Sequence, residues 1–180
     1  MTSFDDCNRV EERGRDILLD HLSHLAERYV VTDKGRLARD LQRTVGDALC
    51  NTHNGAIWAI EFKVEQRYTG NLFLETWSNL KVPGYNKPGW LVTLNTDILW
   101  YYFLDNGQLI SLPFQRLKHW ALVQGNVYRW PEKLQRKHEQ RNHTYGRIVP
   151  ISILLDALDG FHCYRRDGEV FTELGVGSVA

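Results

Sequence analysis

Over residues 4–29 apolar positions recur at helical spacing. Val10, Ile17, His21 and His24 form one row, and Glu11, Arg15, Leu18, Leu22, Leu25 and Tyr29 form its neighbour. A helix is expected there, with Glu11 at the end of the buried stripe and Glu12 turned towards solvent. The period then changes to two. Residues 45–64 read as two short strands joined at His53-Asn54-Gly55, because Asn-Gly supplies the positive φ that a tight hairpin turn requires. In the second strand the alternation puts Ile57, Ala59, Glu61 and Lys63 on one face and Trp58, Ile60, Phe62 and Val64 on the other.

The same period continues after the Thr69-Gly70-Asn71 turn, where Phe73, Glu75 and Trp77 alternate with Leu72, Leu74 and Thr76. Residues 90–93 and 98–104 read as core strands, with the aromatics Trp100, Tyr101, Tyr102 and Phe103 as core. Asp105-Asn106-Gly107 turns the chain into a further strand at 108–112. Helical spacing returns over 113–123 with Phe114, Leu117, Trp120 and Ala121, and Pro113 suits the first turn. A late strand and short helix are expected from Gly146, then two strand-like pieces around Arg165-Arg166-Asp167-Gly168 and a frayed end after Gly175. Two stretches are read as connections: a short helical or irregular passage at 36–43, and a loop at 80–89 that carries Pro83-Gly84 and Pro88-Gly89. This order predicts an α/β (α+β) fold, one domain over 1–180 with a mixed central β-sheet flanked by helices.

Composition changes the picture little. The chain has 180 residues, 43% hydrophobic and 24% charged, and its formal net charge is zero, so global charge selects no partner. The absence of a run of about 18 apolar residues speaks against a membrane helix, and the polar, acidic start against a secretory signal. A cytoplasmic protein with no membrane partner is expected. Cys7, Cys50 and Cys163 are odd in number and far apart, which favours plain packing or surface thiols. His21 and His24 lack a Cys or carboxylate at zinc-like spacing and read as core-edge residues. No phosphate-cradling Gly-rich loop, serine-hydrolase elbow or paired Cys-x-x-Cys occurs, which removes nucleotide-switch, serine-hydrolase and structural-zinc readings.

Candidate chemistry concentrates on the hairpin. A turn of two or three residues places Asp47 opposite Ile60, Glu61 or Phe62, so two carboxylates and the Lys63 ammonium converge. Such acids can share a hard cation such as Mg²⁺, completed by water and substrate phosphate, while the lysine stabilises phosphate charge or helps to deprotonate a water. Asp47 followed fourteen residues later by Glu61-x-Lys63 resembles the PD-(D/E)XK nuclease superfamily, with its restriction-endonuclease-like fold; Val45-Gly46 stands where the family signature has its Pro. The resemblance covers residues 4–123. It implies a DNA nuclease dependent on Mg²⁺ (or Mn²⁺), with Asp47 and Glu61 as metal ligands and Lys63 as catalytic base or phosphate-stabilising residue. It also implies an acid from the first helix, for which Glu11 is the candidate, and a possible homodimer on DNA. Glu75 is a further acid that either joins the site or holds Arg67 or Lys81.

The alternative is a non-catalytic nucleic-acid- or protein-binding regulator on the same fold, in which Glu61 and Lys63 are only a same-face ion pair. A hydrolase of a small phosphorylated substrate is a second rival. Between Arg116 and Arg147 stand eight Lys or Arg against two acids, with Tyr128, Trp130, His138, His143 and Tyr145 among them. This basic segment reads either as a solvated excursion or as a phosphate-holding surface, with Lys133, Arg136, Lys137 and Arg141 as its nucleic-acid-binding candidates.

Overall fold

The structure, a computed structural model, describes residues 4–32, 42, 45–79, 86–135 and 144–175, with side chains from residue 8 onward. The chain opens with α1 (Phe4–Leu25), β1 (Ala26–Val31), β2 (Ala48–Thr52), β3 (Ile57–Glu65) and β4 (Asn71–Asn79). It continues with β5 (Lys87–Pro88), α2 (Trp90–Thr93), β6 (Ile98–Phe103), β7 (Gln108–Pro113), α3 (Phe114–Lys118), a π-turn (His119–Val123) and a 3₁₀ turn (Asn126–Arg129). Last come β8 (Glu132–Gln135), β9 (Thr144–Pro150), α4 (Ile151–Ala157), β10 (His162–Asp167) and β11 (Val170–Leu174).

Seven strands form one mixed sheet in the order β1-β2-β3-β6-β7-β10-β11, in which β3 and β6 are the parallel pair. A second sheet runs β5-β4-β9-β8. The fold is therefore mixed α+β, with four α-helices among the described residues, as the periodicity predicts.

The contiguous aromatics of β6 explain how the layers are glued. Trp100 and Tyr102 pack towards α1 with Leu18, Leu22, Ile60 and Phe62, whereas Leu99, Tyr101 and Phe103 pack towards the second sheet with Leu72 and Leu74. Period-two geometry turns one apolar run into glue for two interfaces. On the α1 side Gly14 meets β3 so closely that a Cβ there would lie 2.3 Å from Val64 Cγ1. This contact brings the first helix down onto the strand that carries Glu61 and Lys63.

Three expectations are corrected. The predicted helix over 4–29 ends at Leu25, because Tyr29-Val30-Val31 pairs with β2 as an edge strand; Leu25 and Tyr29 are consequently exposed rather than buried. β-branched and aromatic residues gain more on a pleated surface than as a last helical turn. Residues 90–93 form α2 and not a strand: the Gly89 carbonyl accepts from the Val92 and Thr93 amides, and four apolar residues carry too little periodicity to separate the two states. The helix over 113–123 passes into a π-turn after Lys118. The expectations for 36–41, 43–44, 80–85 and the end after Gly175 lie outside the described residues.

Candidate active site

Asp47 is placed by backbone bonds on both sides. Its N–H donates to the Ile60 carbonyl at 2.8 Å, and its own carbonyl accepts from the Thr32 N–H at 3.0 Å. The buried Thr32 hydroxyl donates to the Gly46 carbonyl at 2.6 Å. Gly46 has φ +127°, and a Cβ there would come within 2.7 Å of the Ile60 carbonyl oxygen. Proline, locked near φ −65°, cannot occupy this position.

The hairpin has the predicted turn, with Thr52 and Ala56 bonded across it and Ala48 paired with Ile60. Extending that register sets Asp47 against Glu61. Asp47 Oδ2 accepts from the Phe62 N–H at 2.9 Å, while Oδ1 accepts from Arg15 Nη1 at 2.8 Å and from Gln42 Nε2 at 2.6 Å. Asp47 and Glu61 are each 5% exposed. Lys63 Nζ donates to Glu61 Oε1 and stands 5.6 Å from the centroid of the Trp90 ring.

Burial pushes Glu61 up to about 7; Lys63 opposes the rise, and the Asp47 carboxyl, within hydrogen-bonding reach of Glu61, adds to it. Burial works to lower the Lys63 ammonium, but Glu61 and Asp47 outweigh it, with Glu75 adding, so that Lys63 is held above its ordinary value. The site therefore keeps a lysinium beside a carboxyl that titrates near neutrality.

These groups floor a cleft of about 450 Å³ between the two sheets and α1. Of the predicted residues, Asp47, Glu61, Lys63, Glu11 and Glu75 all line it. Glu12 is exposed, as expected, and also lines the cleft; Glu11, expected at the end of the buried stripe, is exposed too. Glu75 accepts from the Ser78 hydroxyl and not from Arg67, which is exposed; Lys81 lies outside the described residues.

Sequence reasoning missed Arg15, Gln42, Glu65, Trp90, Tyr101 and Gln135. Two of these had signals. Arg15 sits in a stripe that otherwise buries leucines, an uncommon place for a guanidinium unless it has a partner. Glu65 shares the β3 face of Glu61 and Lys63 two residues further on, where it accepts from the Tyr101 hydroxyl and burial raises its carboxyl. Arg15 Nη2 is sealed from solvent with no hydrogen-bond partner among the described residues. Asp47 serves three donors, and Asp47→Ala would orphan them at a cost to the fold; Asp47→Asn is the better probe.

Among the described residues, three cations of the basic segment are engaged by carbonyls and acids of different elements. Lys118 Nζ donates to the Leu94 carbonyl, Arg116 to the Asp159 carbonyl, and Arg147 to the Trp130 carbonyl and Glu132. The described parts of the segment belong to α3, the π-turn, the 3₁₀ turn, β8 and β9. Lys133 is exposed on β8, two residues before Gln135 at the cleft. Arg136, Lys137 and Arg141 lie outside the described residues.

His21 packs on Phe171 and Trp100 with ring centroids 4.4 and 5.4 Å away, and burial lowers it to about 4, so it is a neutral core-edge residue. Cys50 and Cys163 are buried thiols, both raised by burial, as packing residues are. The side chain of Cys7 lies outside the described residues. Among the described residues no group of three or more His, Cys, Asp or Glu is arranged to hold a metal by itself. Nor is any described helix long and apolar enough to cross a membrane. No protein-family model matches the chain, and no matching curated protein or solved structure was found.

Proposed function

We propose that the chain is a metal-dependent DNA nuclease, an endonuclease of restriction-endonuclease-like fold that hydrolyses phosphodiester bonds with Asp47, Glu61 and Lys63. One observation carries this reading: two carboxylates, each 5% exposed, meet on neighbouring strands beside a lysinium on the floor of an open cleft. Each carboxylate has a cation, Arg15 for Asp47 and Lys63 for Glu61, but taking such pairs out of water costs several kcal/mol per ion, and apolar residues at the same positions often serve stability as well or better. A mere surface ion pair, the alternative reading, does not account for that burial.

Asp47 and Glu61 fit Mg²⁺ or Mn²⁺: both are hard oxygen donors, and two carboxyls face each other where a divalent charge would relieve their repulsion. Two protein ligands suit an ion that keeps water and substrate phosphate in its remaining positions. When bound, the ion would supply Lewis acidity at the phosphate and make a water easier to deprotonate. The chain's own residues do the rest. Arg15, Gln42 and the Phe62 amide hold the Asp47 carboxylate in one orientation. Glu61 gives up its proton near neutrality. Lys63, held protonated by its acidic neighbours, is suited to neutralise charge building on the phosphate oxygens rather than to act as a free base.

The test is incubation of the purified protein with linear, circular, nicked and branched DNA in Mg²⁺, Mn²⁺ and EDTA. Cleavage is expected with either metal and none in EDTA. Asp47→Asn and Lys63→Ala should each slow it by at least about 10²-fold, and Asp47→Asn should also lose Mn²⁺ binding in a calorimetric titration. Undiminished cleavage in either variant would remove the assignment.

A further inference from the structure

A second cavity, of about 380 Å³, adjoins the first, and its lining has a different chemistry. Glu11, Val64, Glu65, Phe73 and Gln135 line both, so the two spaces are continuous along β3. The first holds the charged groups. The second is floored by the apolar Val10, Phe73 and Ile148 and edged by the uncharged Gln66, Thr69 and Asn71. Apolar walls with a few amide and hydroxyl groups suit a planar heterocycle with polar edges.

Phe73 is the centre of this arrangement. Strand alternation sends Leu72 and Leu74, both fully buried, into the core, so the core does not need the Phe73 ring, which stays partly exposed on the cleft side of β4. The ring lies over Gly146 of β9, where a Cβ would come 2.6 Å from ring Cζ; glycine leaves the room that lets the ring lie down. The β8–β9 register pairs Lys133 with Gly146, and Glu75 pairs with Gly146 from the other side. An exposed ammonium therefore stands in the same cross-strand row as a residue of the cleft.

We propose that this second cavity is a nucleobase pocket in which an unpaired base stacks on Phe73, with Gln135 at its edge, while the adjoining phosphate lies in the Asp47–Lys63 cleft. This rests on the nuclease reading for the identity of the polynucleotide and deepens it. A base can enter a cavity of this size only out of its duplex, so the substrate class is DNA with an unpaired nucleotide beside the cut. Stacking on one aromatic ring is sequence-tolerant, which makes the preference one of structure rather than of base sequence.

The test is metal-free binding, in EDTA, of fluorescein-labelled 16-mers: a fully paired duplex, the same duplex with one unpaired nucleotide, and the latter with an abasic residue at that position. Wild-type protein should bind the unpaired substrate about tenfold more tightly than the paired one, and the abasic substitution should remove that gain. Phe73→Leu should also remove it, and Phe73→Tyr should retain it. Equal affinity of the wild type for paired, unpaired and abasic duplexes would overturn the proposal without any variant having to fold; so would an undiminished preference in a folded Phe73→Leu protein. Because this arm contains no metal and no cleavage, it separates from the nuclease reading. Base preference without Mg²⁺-dependent cutting would support the pocket and sink the nuclease, while cutting without base preference would do the reverse.

Discussion

Two charged regions of this chain stand out along the sequence, and among the described residues the fold treats them differently. Glu61 and Lys63 are two residues apart on one strand and emerge side by side, Glu61 buried and Lys63 half-buried, facing Asp47. The cations of residues 116–147 form a longer and more conspicuous run, yet Arg116, Lys118 and Arg147 are spent on carbonyls and acids of different elements. The difference is one of geometry. A strand's period of two guarantees that i and i+2 share a face, whereas a charge excess spread over helix, turn and strands carries no common direction. Spacing on a regular element is evidence about a site; local charge excess is evidence only about solvation until the fold is known.

The contrast can be broken first at Glu61. Its folded value of about 7 lies above the 4.5 of an ordinary glutamate. Below 4.5 both folded and unfolded chains hold the proton and its stabilising contribution is complete. Between 4.5 and about 7 the unfolded chain releases the proton while the folded one keeps it, so stability falls as pH rises, by up to about 1.4 kcal/mol per pH unit. His21, held neutral down to about 4, contributes the opposite slope over much of that range, so urea unfolding in EDTA should show the stability difference between wild type and Glu61→Gln falling as pH rises. Parallel curves would mean that Glu61 is not set apart from a solvated acid.

A smaller effect sharpens the comparison from the helix side. Gly14→Ala gains about 1 kcal/mol in helix propensity but forces its Cβ against Val64, an overpacking cost of about 1–3 kcal/mol. A net loss of about 1 kcal/mol is expected in thermal unfolding, recovered in Gly14→Ala/Val64→Ala, since the two sites share one contact. If the single variant is stabilised instead, α1 is not seated on β3 as tightly as the placement of Arg15 requires.

The smallest effects belong to the basic run. Arg116→Ala and Lys118→Ala should change DNA affinity by less than about twofold, because neither faces the cleft, while Lys133→Ala should lower the slope of log affinity against log salt by about one. Equal slopes lost at all three positions would show that the run acts as a single surface after all.

Much of the architecture is legible in the residues themselves. The hairpin, the alternation in β4, the β6–β7 turn at Asp105-Asn106-Gly107 and the β10–β11 pair all stand where period and turn chemistry put them. The failures are equally local. At residues 26–31 and 90–93 short apolar stretches suit either helix or strand, and pairing with β2 or capping by Gly89 decides. Of the cleft, Asp47, Glu61 and Lys63 follow from the strand period and the turn. Glu11 and Glu75 were legible as acids in apolar patterns but not as neighbours.

What the sequence by itself determined is the short-range arrangement: Glu61 and Lys63 on one face, and Asp47 within about one residue of Glu61 across a turn of two or three residues, because backbone geometry transmits position faithfully over a few residues. Only the tertiary structure decided that α1 delivers Arg15 to Asp47, that β4 and β8 bring Glu75 and Gln135 to the same cleft, and that Phe73 lies over Gly146 beside it. Those contacts join residues tens of positions apart. They are selected by how whole apolar faces bury one another, a property of the packed layers that no single stretch of chain contains.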